Sequence, residues 1–294
     1  MILVVGATGS LGGRIVRGLL EGGGEVRALV RPGSDGAALE AAGAHVVAGD
    51  LKVAGSLDRA CAGAEVVITT ASATKRGGDT IEEVDLRGNQ WLIEAARRAG
   101  VRHFVLVSAL GAAADSPIPL FRAKGAAEER LRESGMTYTI LQPDAFMDVW
   151  FGALVEAPAL AGRPVTLVGE SRARHSFVAE RDVAAFAIAA TRKEAARDAT
   201  IVIGGPEPLT FLDVVRAYEV AAGRPIPVRA VAPGAPIPGM PEAVWQLAAW
   251  LESFDSPVAM EETARQYGIT LTSVADFARS RLAGAQGEKA SIAS

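Results

Sequence analysis

Short apolar runs alternate with amphipathic stretches through the first half of the chain. Residues 2–5 form an unbroken apolar run, which is typical of a strand buried on both faces of a parallel sheet. The stretch that follows has apolar residues at helical spacing, at Ile15, Val16, Leu19 and Leu20. Similar apolar runs predict five further strands, at 26–30, 45–48, 65–70, 103–108 and 137–141. Helices are predicted between them, at 37–42, 80–99 and 118–134.

This alternation predicts an α/β fold, a doubly wound parallel sheet of Rossmann type with right-handed crossovers. Ligands of such sheets bind beyond the carboxyl ends of the strands. After about residue 145 prolines divide the chain into shorter pieces, some of them helical in pattern, at 181–191, 211–222 and 241–254. We therefore predict a Rossmann domain at 1–145, a smaller substrate-binding lobe at 146–283 that returns strand 201–204 to the sheet, and a loose tail at 284–294.

Three glycines separate the first strand from the first helix. They allow the backbone to turn sharply and to approach a pyrophosphate, and the last lets the helix pack close to the sheet. The N-terminus of the helix then offers unpaired N–H groups and the positive end of its dipole. The loop therefore predicts a dinucleotide site, with contacts from Gly6, Thr8, Gly9, Ser10, Leu11 and Gly12.

Composition narrows the class of protein. A chain of 294 residues, 49% of them apolar, can bury the core of one large α/β domain or of two small ones. Its net charge of −4, without a long basic run, argues against a nucleic-acid partner. No apolar run approaches the ~20 residues of a membrane helix. Cys61 is the only cysteine, and a strand begins at once with no room for a signal peptide before it, so we expect a cytoplasmic protein.

Five segments of the chain match motifs of a known family. They are GATGSLGG at 6–13 (cofactor loop), VVAGDL at 46–51 (adenine-side strand end), VDLRGNQWLIEAARRAGVRHFVLVSALG at 84–111 (a helix and strand), KGAAEERLRESGMTYTILQPDAFM at 124–147 (lysine helix and following strand) and FVAERDVAAF at 177–186 (a later strand-to-helix step). On these segments the chain resembles the atypical short-chain dehydrogenase/reductase group, especially its NmrA-like branch. The resemblance extends well to about residue 190 and implies a Rossmann-type fold that binds NAD or NADP.

The remaining cofactor contacts are expected at the ends of strands. The resemblance implies that Asp50 accepts a hydrogen bond from the adenine amino group and that Leu51 packs nearby; a cap or an Asx turn is the alternative for Asp50. The small residues that end the fourth strand should run beside the cofactor, and further contacts are expected after the fifth and sixth strands. These residues are Thr70, Ala71, Ser72, Ser108 and Gln142.

The end of the second strand bears on which nicotinamide cofactor is used. A site that prefers NAD usually has Asp or Glu there, which holds the ribose 2′-hydroxyl. This chain has Arg31 instead, whose fixed charge and forked geometry suit a 2′-phosphate. We therefore predict NADP rather than NAD, with a solvent-directed Arg31 as the alternative.

The expected reaction centre departs from the usual pattern. Most short-chain reductases carry a Tyr-x-x-x-Lys pair, in which the lysine lowers the pKa of the tyrosine that moves the proton. Lys124 stands in the matching place, but the residue four positions earlier is Leu120, which has no proton to move. The resemblance implies that the lysine itself takes part in proton transfer, so Lys124 is predicted to be catalytic and to contact the cofactor. The alternative is a surface ion pair with Glu128, four residues later.

Candidates for substrate contact and for metal binding complete the site. Phe146, Met147 and His175 are predicted to contact a small, fairly apolar substrate. The three histidines are not spaced as metal ligands and no cysteine cluster accompanies them, so we predict no metal site. No nucleophile elbow is present to favour a serine hydrolase.

Two functions follow from these patterns. The first is an NADPH-dependent reductase of a small carbonyl, quinone or conjugated compound. The second is a non-catalytic NmrA-like sensor that binds NAD(P) and signals through a partner protein; the absence of a proton donor at Leu120 favours it. An epimerase or dehydratase acting on a nucleotide sugar is disfavoured by the missing tyrosine.

Overall fold

The computed structural model describes residues 1–73 and 78–292. Within these ranges the strands are β1 (Ile2–Val5), β2 (Val26–Val30), β3 (His45–Ala48), β4 (Val66–Thr69), β5 (His103–Val107), β6 (Thr137–Pro143), β7 (Val165–Val168), β8 (Ala199–Ile203) and β9 (Val228–Val231). Seven of them form one sheet in the order β3-β2-β1-β4-β5-β6-β8, with every pairing parallel. The other two, β7 and β9, form a small parallel sheet.

The α-helices of the described chain vary widely in length. They are α1 (Ser10–Glu21), α2 (Ala37–Ala41), α3 (Ala54–Cys61), α4 (Asn89–Arg98), α5 (Pro119–Arg132), α6 (Met147–Phe151), α7 (Ala157–Leu160), α8 (Glu180–Ala190), α9 (Phe211–Ala222), α10 (Glu242–Leu251), α11 (Glu261–Tyr267) and α12 (Val274–Ile292). Glu82–Gly88 and Gly152–Glu156 are π-helical, and Glu194–Ala196 is a 3-10 turn. No helix in the described ranges is both long and apolar enough to cross a membrane.

The chain divides into two compact units. The first comprises Met1–Pro143 and Arg181–Ile203 and contains the seven-stranded sheet. All five residues of β5 are buried, as continuous apolar runs in a parallel sheet require. The strand order reverses between β1 and β4, which opens a crevice beyond their carboxyl ends where ligands of doubly wound sheets bind.

The second unit comprises Asp144–Glu180 and the chain from Gly204 onward, and it has its own core. Aromatic rings fill that core at edge-to-face angles: the centroid of Phe151 lies 5.0 Å from that of Phe177 and 5.8 Å from that of Phe277. Tyr218 on α9 is fully buried beside them. Such rings remove a large apolar area from water, so this unit has an apolar core of its own.

The predicted α/β class and the parallel Rossmann-type sheet are confirmed, including the strand that returns to its edge as β8. The first boundary between units falls at 143/144, two residues before the predicted one. The segment expected to be a loose tail, 284–294, instead continues α12 as far as Ile292; residues 293–294 lie outside the described ranges. The helix expected at 80–99 begins with a π-helical turn.

Candidate cofactor and catalytic site

The glycine loop after β1 has a backbone that only glycine fits. Gly6 has φ +82°, and a Cβ there would lie 2.6 Å from Oγ1 of Thr70. A Cβ on Gly12 would lie 2.2 Å from the carbonyl oxygen of Gly6, well inside van der Waals contact. The N–H of Gly9 donates to that same oxygen at 3.0 Å and closes the turn. The loop is therefore held tightly against the start of α1.

The N-terminus of α1 is suited to bind an anion. Its cap, Gly9, has no side chain that could accept from the first-turn N–H groups, and the first turn contains no acidic residue. Thr8, Gly9 and Ser10 are exposed, whereas Leu11 is packed inward. Unpaired N–H groups and the positive end of the helix dipole fit the pyrophosphate of a dinucleotide.

At the end of β2, Arg31 is paired rather than directed freely into solvent. Its Nη1 donates to Oδ2 of Asp79 at 2.5 Å, and Nζ of Lys52 donates to Oδ1 of the same carboxylate at 2.8 Å. These two hydrogen-bonded cations hold the pKa of Asp79 below its usual range. The hydrogen bond to Asp79 in turn raises the pKa of Lys52.

The residues after β3 and β4 lie at the same edge of the sheet. Oδ1 of Asp50 accepts from the N–H of Lys52 at 2.8 Å, which is the Asx turn considered as an alternative, and Leu51 is buried in the core of the first unit. The N–H of Thr70 extends the β4 pairing by donating to the carbonyl of Val5 at 3.0 Å. Thr70 and Ala71 therefore lie directly beside Gly6, and Ser72, partly buried, follows them. Their contacts with a cofactor stay predictions.

Lys124, on α5, lies beside a fully buried carboxylate. Its Nζ is 3.8 Å from Oδ1 of Asp85 and 3.4 Å from the carbonyl oxygen of Val107, the last residue of β5. The Lys124 side chain is only 12% exposed, and that of Asp85 is 0% exposed. Burial lowers the pKa of Lys124, while the nearby carboxylates of Asp85 and Glu128 act in the opposite direction. The Lys124 ammonium is thus a poorly hydrated group at the carboxyl edge of the sheet.

A π-helical turn orients Asp85. Nδ2 of Asn89 donates to the carbonyl oxygens of Val84 (3.1 Å) and Asp85 (3.3 Å). Asn89 thus supplies a hydrogen-bond donor to two carbonyl groups of the irregular turn. The Oδ2 atom of Asp85 accepts from the N–H of Ala73 at 2.9 Å, so Asp85 connects the loop after β4 to Lys124. Its Oδ1 atom accepts no hydrogen bond within the described part of the chain and faces the lysine.

The carboxylate of Glu128 accepts hydrogen bonds from side chains at the ends of β5 and β6. The hydroxyl of Ser108 donates to its Oε1 at 2.5 Å, Nε2 of Gln142 lies 2.9 and 3.0 Å from its two oxygens, and Arg132 donates to Oε2 at 3.0 Å. The Ser108 hydroxyl and the Gln142 amide are therefore held by protein. Their predicted contacts with a cofactor stay predictions, and Asp85, not Glu128, is the carboxylate within ion-pair distance of Lys124.

Two of the three predicted substrate contacts lie in the interior of the second unit. Nδ1 of His175 lies 2.6 Å from Oγ of Ser256, and its Nε2 lies 2.9 Å from the carbonyl oxygen of Leu251. Ser256 in turn lies within 3.0 Å of both carboxylate oxygens of Asp144, and burial raises the pKa of Asp144. His175 therefore has a structural environment with no nitrogen left for a substrate, which corrects the prediction.

Met147, at the start of α6, is also fully buried, in the aromatic core of the second unit. A substrate contact at Met147 is therefore corrected as well. Phe146 is half-buried, and its contact stays a prediction.

Several residues that shape this site are not among those predicted from the sequence. They are Lys52, Asp79, Asp85, Asn89 and, as the acceptor for three side chains, Glu128. Asp85 and Asn89 had a signal, since at helical spacing they fall on the face that also carries the apolar residues Ile81, Leu92 and Ile93. Asp79 had none, because it meets Arg31 across 48 residues of sequence. Among the described residues, no group of three His, Cys, Asp or Glu side chains could hold a metal ion.

Comparisons with known proteins identify the family of the chain. Residues 6–194 match the model of a family described as NAD(P)H-binding. The NAD(P)H azoreductase of Xenophilus azovorans is 34% identical over 226 residues, which are 77% of this chain and 75% of that protein. The photosystem II assembly factor Ycf39 of Cyanophora paradoxa is 32% identical over 76% of this chain and 69% of its own length.

A solved structure has the same fold. The NADPH-dependent quinone oxidoreductase QOR2 of Escherichia coli, solved in complex with NADPH, superposes with a TM-score of 0.79 at 21% identity, over 96% of this chain and 99% of that one. The family model covers more than half of the chain, and it includes the glycine loop, Arg31 and Lys124. The protein belongs to the NAD(P)H-binding family.

Proposed function

We propose that the protein is an NADPH-dependent oxidoreductase that reduces a small carbonyl, quinone or conjugated compound. The observation that carries this proposal is the poorly hydrated ammonium of Lys124, 3.4 Å from the last carbonyl of β5, in the same unit as a glycine loop that fits a dinucleotide. The similarity to an NAD(P)H azoreductase supports the reductase class.

The choice of NADPH rests on charge at the end of β2. Arg31 occupies the position where a carboxylate would repel a 2′-phosphate, and Lys52 adds a second cation at the end of the neighbouring strand. A guanidinium can hold two phosphate oxygens at once. The arrangement favours a phosphorylated ribose over a free hydroxyl.

In the proposed mechanism Lys124 moves the proton. NADPH, when bound, would supply the hydride and with it both electrons of the reduction. The ammonium of Lys124 gives a proton to the substrate oxygen or nitrogen on which negative charge develops, and it regains one from solvent, to which it is 12% exposed. Because burial lowers the pKa of Lys124, the ammonium is a stronger acid than an exposed lysine. Asp85 positions the ammonium and keeps it protonated.

Substrate selection is assigned to the second unit, with Phe146 as its candidate contact. We also propose a cytoplasmic location. This is supported by the presence of a single cysteine, Cys61, which rules out a disulfide within the chain.

A second candidate is a non-catalytic factor that binds the cofactor and acts through a partner protein. Two observations favour it: Leu120 replaces the usual proton donor, and the chain is 32% identical to a photosystem II assembly factor. Such a factor needs the dinucleotide site but has no need for the ammonium of Lys124.

Turnover separates the two candidates. Purified protein is mixed with NADPH and a panel of quinones, azo dyes and aldehydes, and NADPH consumption is followed. We expect turnover with at least one class, and we expect Lys124→Met to lower kcat about 10²–10⁴-fold. Lys193→Met, which removes an exposed lysine, is the matched control and should match the wild type. Tight NADPH binding without turnover on any member of the panel would favour the non-catalytic factor.

A further inference from the structure

We propose that Lys52 is a second ligand of the 2′-phosphate of NADPH. Asp79 competes with that phosphate, because its carboxylate occupies the position between Lys52 and Arg31 that the phosphate would bind. The inference rests on the proposed use of NADPH. It assigns the choice between the two nicotinamide cofactors to three residues rather than to Arg31 alone.

The two cations come from neighbouring strands. Arg31 directly follows β2, and Lys52 follows β3 by four residues; β2 and β3 pair in parallel with Val30 opposite Ala48. Their side chains therefore converge at one corner of the sheet. They are 31% and 34% exposed, which leaves both accessible to a ligand from solvent.

Both cations meet on a single anion. Nη1 of Arg31 binds Oδ2 of Asp79 at 2.5 Å, and Nζ of Lys52 binds Oδ1 at 2.8 Å, so each carboxylate oxygen has its own cation. The Asp79 side chain is only 9% exposed. The carboxylate of Asp79 is thus bridged by a guanidinium and an ammonium. A phosphate monoester could bind the same two cations through two of its oxygens and would have a third oxygen left over.

Charge decides how the two anions relate. Arg31, Lys52 and Asp79 together carry one net positive charge, whereas a phosphate monoester carries about −1.5 to −2 at neutral pH. A phosphate added beside an unmoved Asp79 would meet a like charge at close range, so Asp79 must release its two cations as the phosphate arrives. Because the cations hold the pKa of Asp79 low, its carboxylate stays ionised at neutral pH and the competition persists.

The effect is confined to the phosphorylated cofactor. NADH presents a neutral hydroxyl where NADPH presents the phosphate, so NADH gains little from Lys52 and loses little to Asp79. Removing Lys52 should therefore weaken NADPH alone, and removing the charge of Asp79 should strengthen NADPH alone.

The test measures the Kd of NADPH and of NADH by calorimetry, without any substrate, for the wild type and four variants. Lys52→Met should weaken NADPH about tenfold, Asp79→Asn should tighten NADPH about three- to tenfold, and both should leave NADH within about twofold. Lys52→Arg keeps the charge and should retain most of the NADPH affinity. Lys193→Met is the matched control for loss of a lysine charge.

Each other outcome overturns a defined claim. Unchanged NADPH affinity in Lys52→Met would exclude Lys52 as a phosphate ligand, and weaker NADPH binding in Asp79→Asn would show that Asp79 organises the cations rather than competing for them. If the wild type binds neither dinucleotide, the proposed function fails and this inference fails with it. If it binds NADPH and NADH equally in all variants, the inference and the proposed preference for NADPH fail, whereas the proposed oxidoreductase activity is unaffected.

Discussion

Lys124 is subject to two opposing electrostatic effects. Burial disfavours its charged form and lowers its pKa, whereas the Asp85 carboxylate 3.8 Å away stabilises the ammonium. Asp85 is fully buried, and within residues 1–73 and 78–292 only one of its oxygens accepts a backbone hydrogen bond, from Ala73. Since removing one partner of a buried pair leaves the other charge uncompensated, the behaviour of Lys124 should respond directly to Asp85.

We therefore expect Asp85→Asn to move the alkaline limb of the kcat–pH profile to lower pH. A general acid must be protonated to act, and activity falls as pH rises through the pKa of Lys124. Without the negative charge of Asp85 that pKa drops further, so the fall begins earlier, while asparagine can still accept from the N–H of Ala73. The profile is measured by NADPH consumption with the best substrate of the panel.

The control for this profile is Asp58→Asn, which removes an exposed carboxylate from the same unit, where it pairs with Arg98. It should leave the alkaline limb in place. An unchanged limb in Asp85→Asn, in a protein that is folded by circular dichroism, would contradict the role given to Asp85.

At the scale of elements, the central strands β1, β2, β4 and β5 could be predicted from the sequence because they are largely buried and appear as apolar runs, and the apolar residues of the more exposed edge strand β3 sufficed as well. The prediction for β2 matches Val26–Val30, and that for β3 matches His45–Ala48. The helix α3 (Ala54–Cys61) was not predicted, since it is short and rich in small residues. The pairing of β7 with β9 was also missed, because the two strands lie more than 60 residues apart in sequence and β9 is mostly exposed.

The candidate site also combines features that are local in sequence with features that depend on tertiary contacts. The glycine loop carries its signal locally, since strand, turn and helix follow one another directly. Asp79 reaches Arg31 and Lys52 only through tertiary contact, and the surroundings of His175 come from chain about 80 residues away. Residue type alone does not distinguish a side chain that is paired in the folded protein from one that is free, which is why the sequence predicts a substrate contact at His175.

The buried chain of Asp144, Ser256 and His175 holds three segments of the second unit together. Ser256→Ala leaves Nδ1 of His175 and the Asp144 carboxylate with one partner fewer in a buried place. We expect the free energy of unfolding to fall by about 1–3 kcal/mol, as measured by urea denaturation, with the Kd of NADPH unchanged.

The control for this variant is Ser253→Ala, which removes an exposed hydroxyl whose hydrogen bond is local, to the carbonyl of Trp250. It should change stability by less than Ser256→Ala. A Ser256→Ala protein of unaltered stability but raised KM would instead support His175 as a substrate contact.

At the scale of the whole molecule, the residues of the candidate cofactor site lie in one of the two units. The glycine loop, Arg31, Lys52, Asp85 and Lys124 all belong to the first unit, which also contains the complete seven-stranded sheet. The family model ends at residue 194, inside the segment that returns to that unit. The match therefore includes nearly all of the first unit and, of the second unit, only residues 144–180, so that most of the second unit lies outside it.

The location of the candidate cofactor site in the first unit predicts which backbone amides should exchange more slowly when NADPH binds. NADPH at about 100 times its Kd should stabilise the folded state by about 2.7 kcal/mol. Amide hydrogen exchange should slow most at the first turn of α1, because the N–H groups of Ser10, Leu11 and Gly12 gain an acceptor there. Exchange is followed by mass spectrometry, with the β7 and β9 peptides of the second unit as the internal reference. Slowing confined to those reference peptides would contradict a pyrophosphate site at the glycine loop, since exchange there would not have responded to the cofactor it is proposed to hold.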